Sequence, residues 1–361
     1  MDDLTNLDDE PRKSMKGRRL GMSFSVWRLQ TNTDGDKGEK VAGICLKDGV
    51  AAMGWSLKDS HLKTPKYALT AEKIEEIKGL RQSISSFDDY EAIHLHYGIY
   101  AHKVNDNILR LYNDMTVGDL IWMRYNGQYY LGRVCDGSIW RYVADSDILE
   151  KDASNQRTNI KWYLVGDESD VPGAIAIAMI RGKTLQRIAK AGTDVFSKLL
   201  YNKLCGEELY RDVQLQCDID SFYSLLSSDD CEDLLCAWLY GEYGYIAVPS
   251  TNKKATELYE CVLKDPQTGK HIYPQVKNEN GGDSSIDVQK YLSLDGEVWL
   301  FSTLAAIQNR SCITANIHIA DASVLFDFVK SGKGNNYLPD SILHWYQLLK
   351  NCSTNKRDSM Q

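Results

Sequence analysis

Four polar residues in the second half of the chain are of types that can hold a metal ion and act on a phosphate. They are Glu232, Glu260, Gln275 and Lys277. A carboxylate and a side-chain carbonyl oxygen suit Mg²⁺, a hard cation that prefers oxygen ligands. Such a cation polarises a phosphoryl oxygen and activates the attacking water, while a lysine ammonium orients that water or stabilises the developing charge. We therefore predict Glu260, Gln275 and Lys277 to be catalytic, with Mg²⁺ or Mn²⁺ held by Glu260 and Gln275.

Helix and strand patterns are expected to bring these side chains together. Glu232 lies in the first turn of a predicted helix. Glu260 lies on an apolar predicted strand, and a turn separates that strand from the next one, Ile272–Val276. Because side chains alternate along a strand, Gln275 and Lys277 share one face, which Glu260 can reach from the neighbouring strand.

Alternatives remain for this group of residues. Glu257, three residues before Glu260, competes with it as the strand acid. A Gln-X-Lys triplet also arises by chance, and polar residues that alternate on a strand usually form a solvated face. One argument favours a functional site over a solvated face. The Glu260 carboxylate lies among apolar neighbours in the sequence, and such a carboxylate is costly without a metal or another partner.

The first half of the chain is rich in aromatic residues. Stacking on aromatic faces offsets part of the cost of unstacking a nucleic-acid base, although many such rings are core residues instead. We favour Trp55, because it follows a glycine where a backbone can approach a ligand closely, and Trp140, which follows a turn. The predicted base pocket consists of Trp55, Trp140, Trp122 and Tyr142, and the predicted phosphate contacts are Arg133 and Arg141.

Three histidines, His94, His96 and His102, lie close together in the sequence. His94 and His96 are two residues apart on Ile93–Tyr97, a segment whose alternation predicts a strand, and such a pair could chelate a metal. With no third ligand at a clear spacing, we favour a polar strand face. The sequence contains no GxSxG, P-loop or HExxH motif.

Short alternating segments dominate the first half. Leu120–Tyr125 and Tyr129–Val134 flank Asn126-Gly127, which is a strong hairpin signal. One helix is predicted over Thr70–Leu80, opened by a threonine N-cap. Many short strands with little helix predict a small β-barrel.

From Thr184 the pattern becomes helical, and after a helix over Thr184–Leu204 helices and short strands alternate, which predicts an α/β domain. Because 361 residues exceed what one core usually supports, two domains are expected. The predicted segments are a disordered leader at 1–22, a β-barrel at 23–183, a helical connector at 184–210, an α/β domain at 211–350 and a disordered tail at 351–361.

Composition and charge restrict the class of protein. The 43% hydrophobic and 25% charged residues are typical of a globular protein, and no uninterrupted apolar run reaches the roughly eighteen residues of a membrane span. The N-terminus is too polar for a signal peptide, and nine cysteines without a CxxC pair favour free thiols in a reducing cytoplasm. Residues 1–206 hold 29 basic and 28 acidic residues, whereas residues 207–361 hold 13 and 22. The acidic second half suits DNA if a cation supplies positive charge at the phosphate.

The order of Glu232, Glu260 and Gln275-Val276-Lys277 resembles the PD-(D/E)XK nuclease superfamily, and within it the Mrr-like restriction endonucleases. In that family Gln-X-Lys replaces the usual Glu-X-Lys, and a helical glutamate precedes the core. The resemblance therefore implies a catalytic role for Glu232. The strand acid there is usually an aspartate in a Gly-Ile-Asp context, whereas Glu260 follows Leu258-Tyr259. The resemblance covers roughly residues 218–330 and implies a restriction-endonuclease-like domain with metal-dependent endodeoxyribonuclease activity.

A series of short motifs also runs along the first half: Gly54-Trp55, Gly118-Asp119-Leu120-Ile121, Gly132-Arg133-Val134, Lys161-Trp162 and Pro172-Gly173. The series resembles the PUA-like superfold, in particular its EVE-type branch, over about residues 24–188. This resemblance implies a PUA-like β-barrel that binds modified bases flipped from a duplex, or modified nucleotides in RNA.

Together the resemblances imply a modification-dependent DNA endonuclease that reads modified bases in double-stranded DNA and cuts with Mg²⁺. Such an architecture suits cytoplasmic defence against phage or foreign DNA, and cutting of both strands favours a homodimer. No membrane association is expected. The alternatives are a non-catalytic binder of modified nucleic acid with a degenerate nuclease domain, and a PUA-type protein that binds or processes RNA.

Overall fold

The computed structural model is a mixed α/β structure with several sheets. The residues that it describes are 24–31, 36–99, 103–180, 182–190, 192–211, 213, 215–248, 258–278 and 285–358. The helices are α1 (Asp36–Asp48), α2 (Asp59–Leu62), α3 (Ala71–Arg81), α4 (Phe87–Tyr97), α5 (Asp106–Leu109), α6 (Ser146–Glu150), α7 (Gly173–Ile180), α8 (Thr193–Cys205), α9 (Ile219–Leu225), α10 (Ser228–Tyr243), α11 (Ala322–Ser331) and α12 (Asp340–Asp358). The strands are β1 (Val26–Leu29), β2 (Ala51–Met53), β3 (Leu120–Tyr125), β4 (Gln128–Val134), β5 (Trp140–Tyr142), β6 (Asn155–Arg157), β7 (Ile160–Gly166), β8 (Leu185–Arg187), β9 (Ile246–Ala247), β10 (Leu263–Lys264), β11 (His271–Lys277), β12 (Ile286–Asp287), β13 (Glu297–Ser302), β14 (Ile307–Gln308) and β15 (Ile317–Ala320).

The first half contains a five-stranded sheet with the order β7-β4-β3-β1-β8. Strands β3 and β4 form the predicted hairpin, in which Tyr125 pairs with Gln128. Asn126 and Gly127 both have positive φ angles, of 50° and 75°, as a two-residue hairpin turn of this kind requires. The hairpin prediction is therefore confirmed.

The predicted barrel is wrong for the described strands, which form an open sheet and a separate three-stranded sheet of order β2-β6-β5. Helices α1, α3 and α4 lie between the strands in sequence, so the first half holds much more helix than its alternation predicted. The predicted helix at Thr70–Leu80 is confirmed as α3, and the Thr70 side chain accepts a hydrogen bond from the backbone N–H of Lys73 (3.3 Å).

The strand predicted at Ile93–Tyr97 is wrong, because this segment is the second half of α4. A capping box begins the helix: the Ser86 and Asp89 side chains each accept a hydrogen bond from the backbone of the other residue. On a helix, side chains two residues apart point in different directions, so His94 and His96 do not present a common chelating face. His102 lies outside the described residues.

Burial of His94 within α4 gives a first prediction. Burial lowers its pKa from 6.5 to about 4, opposed by a backbone hydrogen bond at Ile99. Between these values the unfolded chain binds more protons than the folded chain, so this contribution to stability is complete above pH 6.5 and is lost as the pH falls towards 4. The free energy of unfolding should fall by about 3 kcal/mol across this window, and His94→Gln should remove that part of the loss.

Urea unfolding at a series of pH values measures this effect. His96→Gln is the control, because His96 lies exposed on the same helix. Equal acid destabilisation of the wild type and His94→Gln would show that another group is responsible.

The second half contains a sheet with the order β15-β13-β11-β10-β9. Strand β11 lies at its centre, parallel to β13 and antiparallel to β10. The predicted strand at Leu258–Leu263 is largely irregular, since regular pairing begins only at β10. Periodicity predicts helices over Asp218–Leu226, Asp230–Tyr240, Ala322–Val329 and Pro339–Leu349, and these are confirmed as α9, α10, α11 and α12. Helix α12 continues to Asp358, so the disordered tail predicted from residue 351 is wrong for 351–358.

The connector predicted as one helix over Thr184–Leu204 begins instead as strand β8, which pairs with β1, and only α8 is helical. The largest hydrophobic core crosses this region. Phe196 on α8 stacks on Trp122 of the first sheet (centroids 6.5 Å apart) and packs edge-on against Trp345 of α12 (5.6 Å). Residues from both predicted domains thus share one core. None of the described helices combines the length and the apolarity needed to cross a bilayer.

Candidate active site and base pocket

Strand β11 places Gln275 and Lys277 on the same face of the second sheet, as alternation requires. Gln275 is only 2% exposed, whereas Lys277, at the end of the strand, is half-buried. Pairing with β13 on one side fixes the backbone of both residues. Lys277, the last residue of the central strand β11, is therefore partly accessible to solvent, whereas Gln275 is held within the fold.

Glu260 lies beside β11, although it is not part of a regular strand. Its backbone N–H donates a hydrogen bond to Pro274 O (3.0 Å). The Gln275 Nε2 amide donates to Glu260 Oε1 and also to Val276 O (3.1 Å). The structure therefore brings Glu260 and Gln275 into direct contact.

Glu232 lies near the start of α10, which packs against β11. Burial raises the pKa of Glu232 to about 7, and repulsion from Glu260 adds to the shift, whereas Lys277 opposes it. Burial likewise raises the pKa of Glu260, against the backbone N–H of Val276, the Lys277 ammonium and the Gln275 amide. All four predicted residues thus interact, and the two carboxyl groups resist sharing the site as anions without a compensating cation.

The Gln275 side chain carries an orphaned polar atom. Its Oε1 is buried and has no hydrogen-bond partner among the described residues. A buried carbonyl oxygen without a partner is costly. A cation bound by Glu260 would satisfy this oxygen if the side-chain amide rotated so that its oxygen, instead of its nitrogen, faced Glu260. A carboxylate and a carbonyl oxygen fit a hard cation such as Mg²⁺. Within the described ranges no group of three His, Cys, Asp or Glu side chains is placed to hold a metal, and the competing acid Glu257 lies outside those ranges.

Trp140 lies in a cluster of rings, with centroids 5.2 Å from Phe87, 5.7 Å from Tyr90 and 6.1 Å from Tyr112. It is 8% exposed, which is equally typical of a core residue. Its Nε1 is buried without a hydrogen-bond partner in the described part of the chain. The same holds for Oδ1 of Asn155, on the adjacent strand β6. The polar edge of a base could accept a hydrogen bond from Trp140 Nε1 and donate one to Asn155 Oδ1.

Trp55 is half-buried and adopts a left-handed backbone conformation, with φ of 59°. The Tyr90 hydroxyl (2.9 Å) and the Asn155 amide (3.4 Å) donate to its carbonyl oxygen. Left-handed conformations are uncommon outside glycine and often occur at ligand sites. At the neighbouring Gly54 a Cβ would lie 2.5 Å from an Asp152 carboxylate oxygen, so packing against this side chain also favours glycine there.

Trp122 is a core residue in the structure, so its assignment to the base pocket is wrong. It is fully buried, its ring stacks on Phe196, and its Nε1 donates to Ser197 Oγ (2.9 Å). All of its ring contacts with the connector helix would have to open for a base to reach it. Tyr142 belongs to the ring cluster through Tyr90 (5.5 Å) and donates its hydroxyl hydrogen to Ser56 O.

The two predicted phosphate contacts differ in their surroundings. The Arg133 guanidinium is half-buried and lies over the Tyr210 ring, 5.8 Å from its centroid. Arg141 is exposed on β5, and its Nε and Nη2 donate to Gln156 Oε1 (3.0 and 2.8 Å). Because Arg141 is exposed whereas Arg133 is half-buried, Arg141 is the better placed of the two to contact a phosphate.

Sequence reasoning missed three residues of these sites: Tyr90, Asn155 and Asn278. Tyr90 follows Phe87 by three residues and precedes Tyr97 by seven, a helical spacing that identifies the inward face of α4. Nothing in the sequence distinguishes Asn155 or Asn278, because their roles depend on contacts with residues far away in the chain.

No protein-family model, curated protein or solved structure matches this chain. The PD-(D/E)XK and PUA-like resemblances therefore stay predictions that rest on the motifs themselves.

Proposed function

We propose that the protein is a modification-dependent DNA endonuclease, which hydrolyses phosphodiester bonds with Mg²⁺ or Mn²⁺. The observation that carries the proposal is the contact between Glu260 and Gln275, with the buried Gln275 Oε1 lacking a partner among the described residues and Lys277 on the same face. Glu232 adds a second carboxyl group with a raised pKa. Two carboxyl groups, an amide oxygen and a lysine can supply the cation ligands and the charge stabilisation that metal-assisted phosphate hydrolysis uses.

Each residue has a distinct part in this proposal. Glu260 and Gln275 would hold the cation, which when bound supplies positive charge at the scissile phosphate. Lys277 stabilises the negative charge that develops on the phosphate oxygens, or orients the attacking water. Glu232 increases the negative potential that retains the cation. Strand β11 fixes Gln275 and Lys277 on the sheet, so little reorganisation is needed when the substrate binds.

The ring cluster around Trp140 supports a base-reading role for the first half of the chain. A base that leaves the duplex needs an aromatic face and polar partners for its edge. Trp140 Nε1 and Asn155 Oδ1, which lack partners in the described structure, offer one donor and one acceptor. The exposed residue Arg141 is a candidate contact for the flanking phosphate. A duplex selected in this way would be foreign or phage DNA, and a homodimer would supply one active site for each strand.

Trp140→Ala is expected to weaken binding to modified duplex DNA by roughly five- to a hundredfold, since stacking contributes about 1–3 kcal/mol per base. Trp55→Ala is expected to have an effect in the same range. Fluorescence anisotropy with labelled duplexes measures the affinity, and circular dichroism checks folding. Trp140→Phe is the matched control, because it keeps an aromatic face. Full affinity in a folded Trp140→Ala would place the reader pocket elsewhere, and unfolding of both alanine variants would assign these rings to the core.

One observation favours a second candidate, a non-catalytic binder with a degenerate nuclease domain. As placed, the amide nitrogen of Gln275 faces Glu260, and this hydrogen bond holds the pair together without a metal. A third candidate, an RNA-binding or RNA-processing protein, follows from the PUA-like motifs alone.

Incubation of the full chain with Mg²⁺ and three duplexes of one sequence distinguishes the candidates. The duplexes carry 5-methylcytosine, 5-hydroxymethylcytosine or unmodified cytosine, and a gel detects cleavage. The endonuclease proposal expects cutting of one or both modified duplexes only. Selective binding without cutting would favour the non-catalytic candidate, and preference for a matched RNA would favour the third.

A further inference from the structure

The peptide between Leu226 and Ser227 sets where α10 begins. The Ser227 side chain accepts a hydrogen bond from the Asp230 N–H (2.9 Å), and the Asp230 carboxylate accepts one from the Ser227 N–H (2.8 Å). Ser227 O accepts the first helical hydrogen bond, from the Cys231 N–H (3.2 Å). Glu232 directly follows Cys231. A displacement of the Leu226–Ser227 peptide would therefore also displace the carboxyl group of Glu232.

Asn278 links this peptide by hydrogen bonds to β11, the strand that carries Gln275 and Lys277. It follows Lys277 directly at the end of β11 and is only 4% exposed. Its Nδ2 donates to Leu226 O (3.2 Å) and to Ser227 O (3.1 Å). Because one side-chain amide joins the end of β11 to the start of α10, it fixes the distance between the two elements of the site.

Gly173 contacts the same peptide from the first half of the chain. It is the first residue of α7 and belongs to the Pro172-Gly173 motif. A Cβ at this position would collide with Ser227 Cα and would lie 2.8 Å from Ser227 N and 2.9 Å from Leu226 O. These are backbone atoms, so they cannot turn aside as the end of a side chain can. Only glycine allows α7 to come this close to α10.

We propose that Gly173 and Asn278 are positioning residues that together fix the start of α10, and with it Glu232. In this proposal the first half of the chain helps to position an active-site residue, and is not only a base-reading domain joined to the nuclease domain by a connector. The inference rests on the proposed nuclease function.

The test uses the full chain with Gly173→Ala or Asn278→Ala, Mg²⁺ and the duplex that the wild type cuts. Each variant is expected to lower kcat by about a hundredfold, the loss that a misplacement of about 1 Å can cause, with KM and DNA affinity unchanged. Hydrogen exchange of the amides at residues 231–235 should become faster in both variants, because the peptide that begins the helix is no longer held.

Gly241→Ala is the matched control. Gly241 also lies on α10, near the opposite end of the helix from Glu232. A Cβ there would be crowded as well, but by the Tyr337 hydroxyl and the Phe328 ring instead of by backbone atoms. This variant should keep the wild-type kcat and the wild-type exchange at residues 231–235.

Three results would overturn the inference: rates for Gly173→Ala and Asn278→Ala that match the control, losses of DNA affinity as large as the losses of rate, or unchanged exchange at residues 231–235. If Gly173→Ala does not fold, Asn278→Ala decides. A wild type that cuts no duplex would contradict the proposed function instead, and hydrogen exchange would still test the positioning of α10.

Discussion

Replacement of Lys277 by alanine is expected to lower the rate of DNA cleavage by about a hundred- to a thousandfold, the loss typical of removing one group that stabilises transition-state charge. DNA affinity should stay nearly unchanged, because the ammonium acts on charge that appears only during the reaction. Single-turnover cleavage gives the rate, and anisotropy under non-cleaving conditions gives the affinity.

Lys264→Ala is the matched control for this result. Lys264 is exposed on the neighbouring strand β10, so its loss removes the same charge from the same sheet. It should reduce neither rate nor affinity beyond a small electrostatic effect. If Lys277→Ala loses as much affinity as rate, Lys277 is a docking residue and the active site has been assigned wrongly.

Removal of divalent cations is expected to abolish cleavage, because Lys277 alone supplies one positive charge against two half-buried carboxyl groups and a phosphate. Glu260→Gln should do the same in the presence of Mg²⁺, because it removes the charge and keeps the shape of the side chain. Calorimetric titration of Mn²⁺ into the protein with bound DNA should give binding heat for the wild type and none for Glu260→Gln.

The control here is Glu242→Gln, which removes an exposed carboxylate from α10 that pairs with Lys333. This variant should bind Mn²⁺ and cut as the wild type does. Cleavage that persists in EDTA, or equal Mn²⁺ binding by Glu260→Gln, would exclude Glu260 as a ligand.

The sequence predicted the site in the second half better than the strands around it. Strand alternation placed Gln275 and Lys277 on one face, and helical periodicity placed Glu232 on α10. Glu260 reaches Gln275 although regular strand pairing begins only at β10, because the backbone hydrogen bond to Pro274 O is sufficient to align the segments. Contact between these residues thus followed from local patterns.

The first half was predicted less well, for physical reasons that particular residues show. Ile93–Tyr97 alternates like a strand, but its capping residues, Ser86 and Asp89, and its buried residues at helical spacing make it α4. Trp122 was assigned to a pocket because an aromatic residue suits either a ligand or a core. Trp122 is buried because it packs against α8, where its hydrogen-bond partner Ser197 lies 75 residues further along the chain.

The packing between the two halves of the chain could not be predicted from the sequence. Gly173 belongs to the Pro172-Gly173 motif of the PUA-like resemblance, whereas in the structure it allows a close approach to Ser227. Such an approach depends on how α7 and α10 pack, and no local periodicity encodes it. The shared core has the same origin, since Phe196 contacts rings on both sides of the predicted boundary.

Cleavage in water enriched in ¹⁸O tests whether this protein hydrolyses modified DNA with Glu260 and Lys277 in its active site. The wild type, Lys277→Ala and Glu260→Gln are each incubated with modified duplex and Mg²⁺ under single-turnover conditions, and mass spectrometry examines the ends of the products. We expect the wild type to produce ends with one ¹⁸O atom in the terminal phosphate, and both variants to leave the duplex intact over the same time. An intact duplex with the wild type, or equal cleavage by all three proteins, would contradict this proposal.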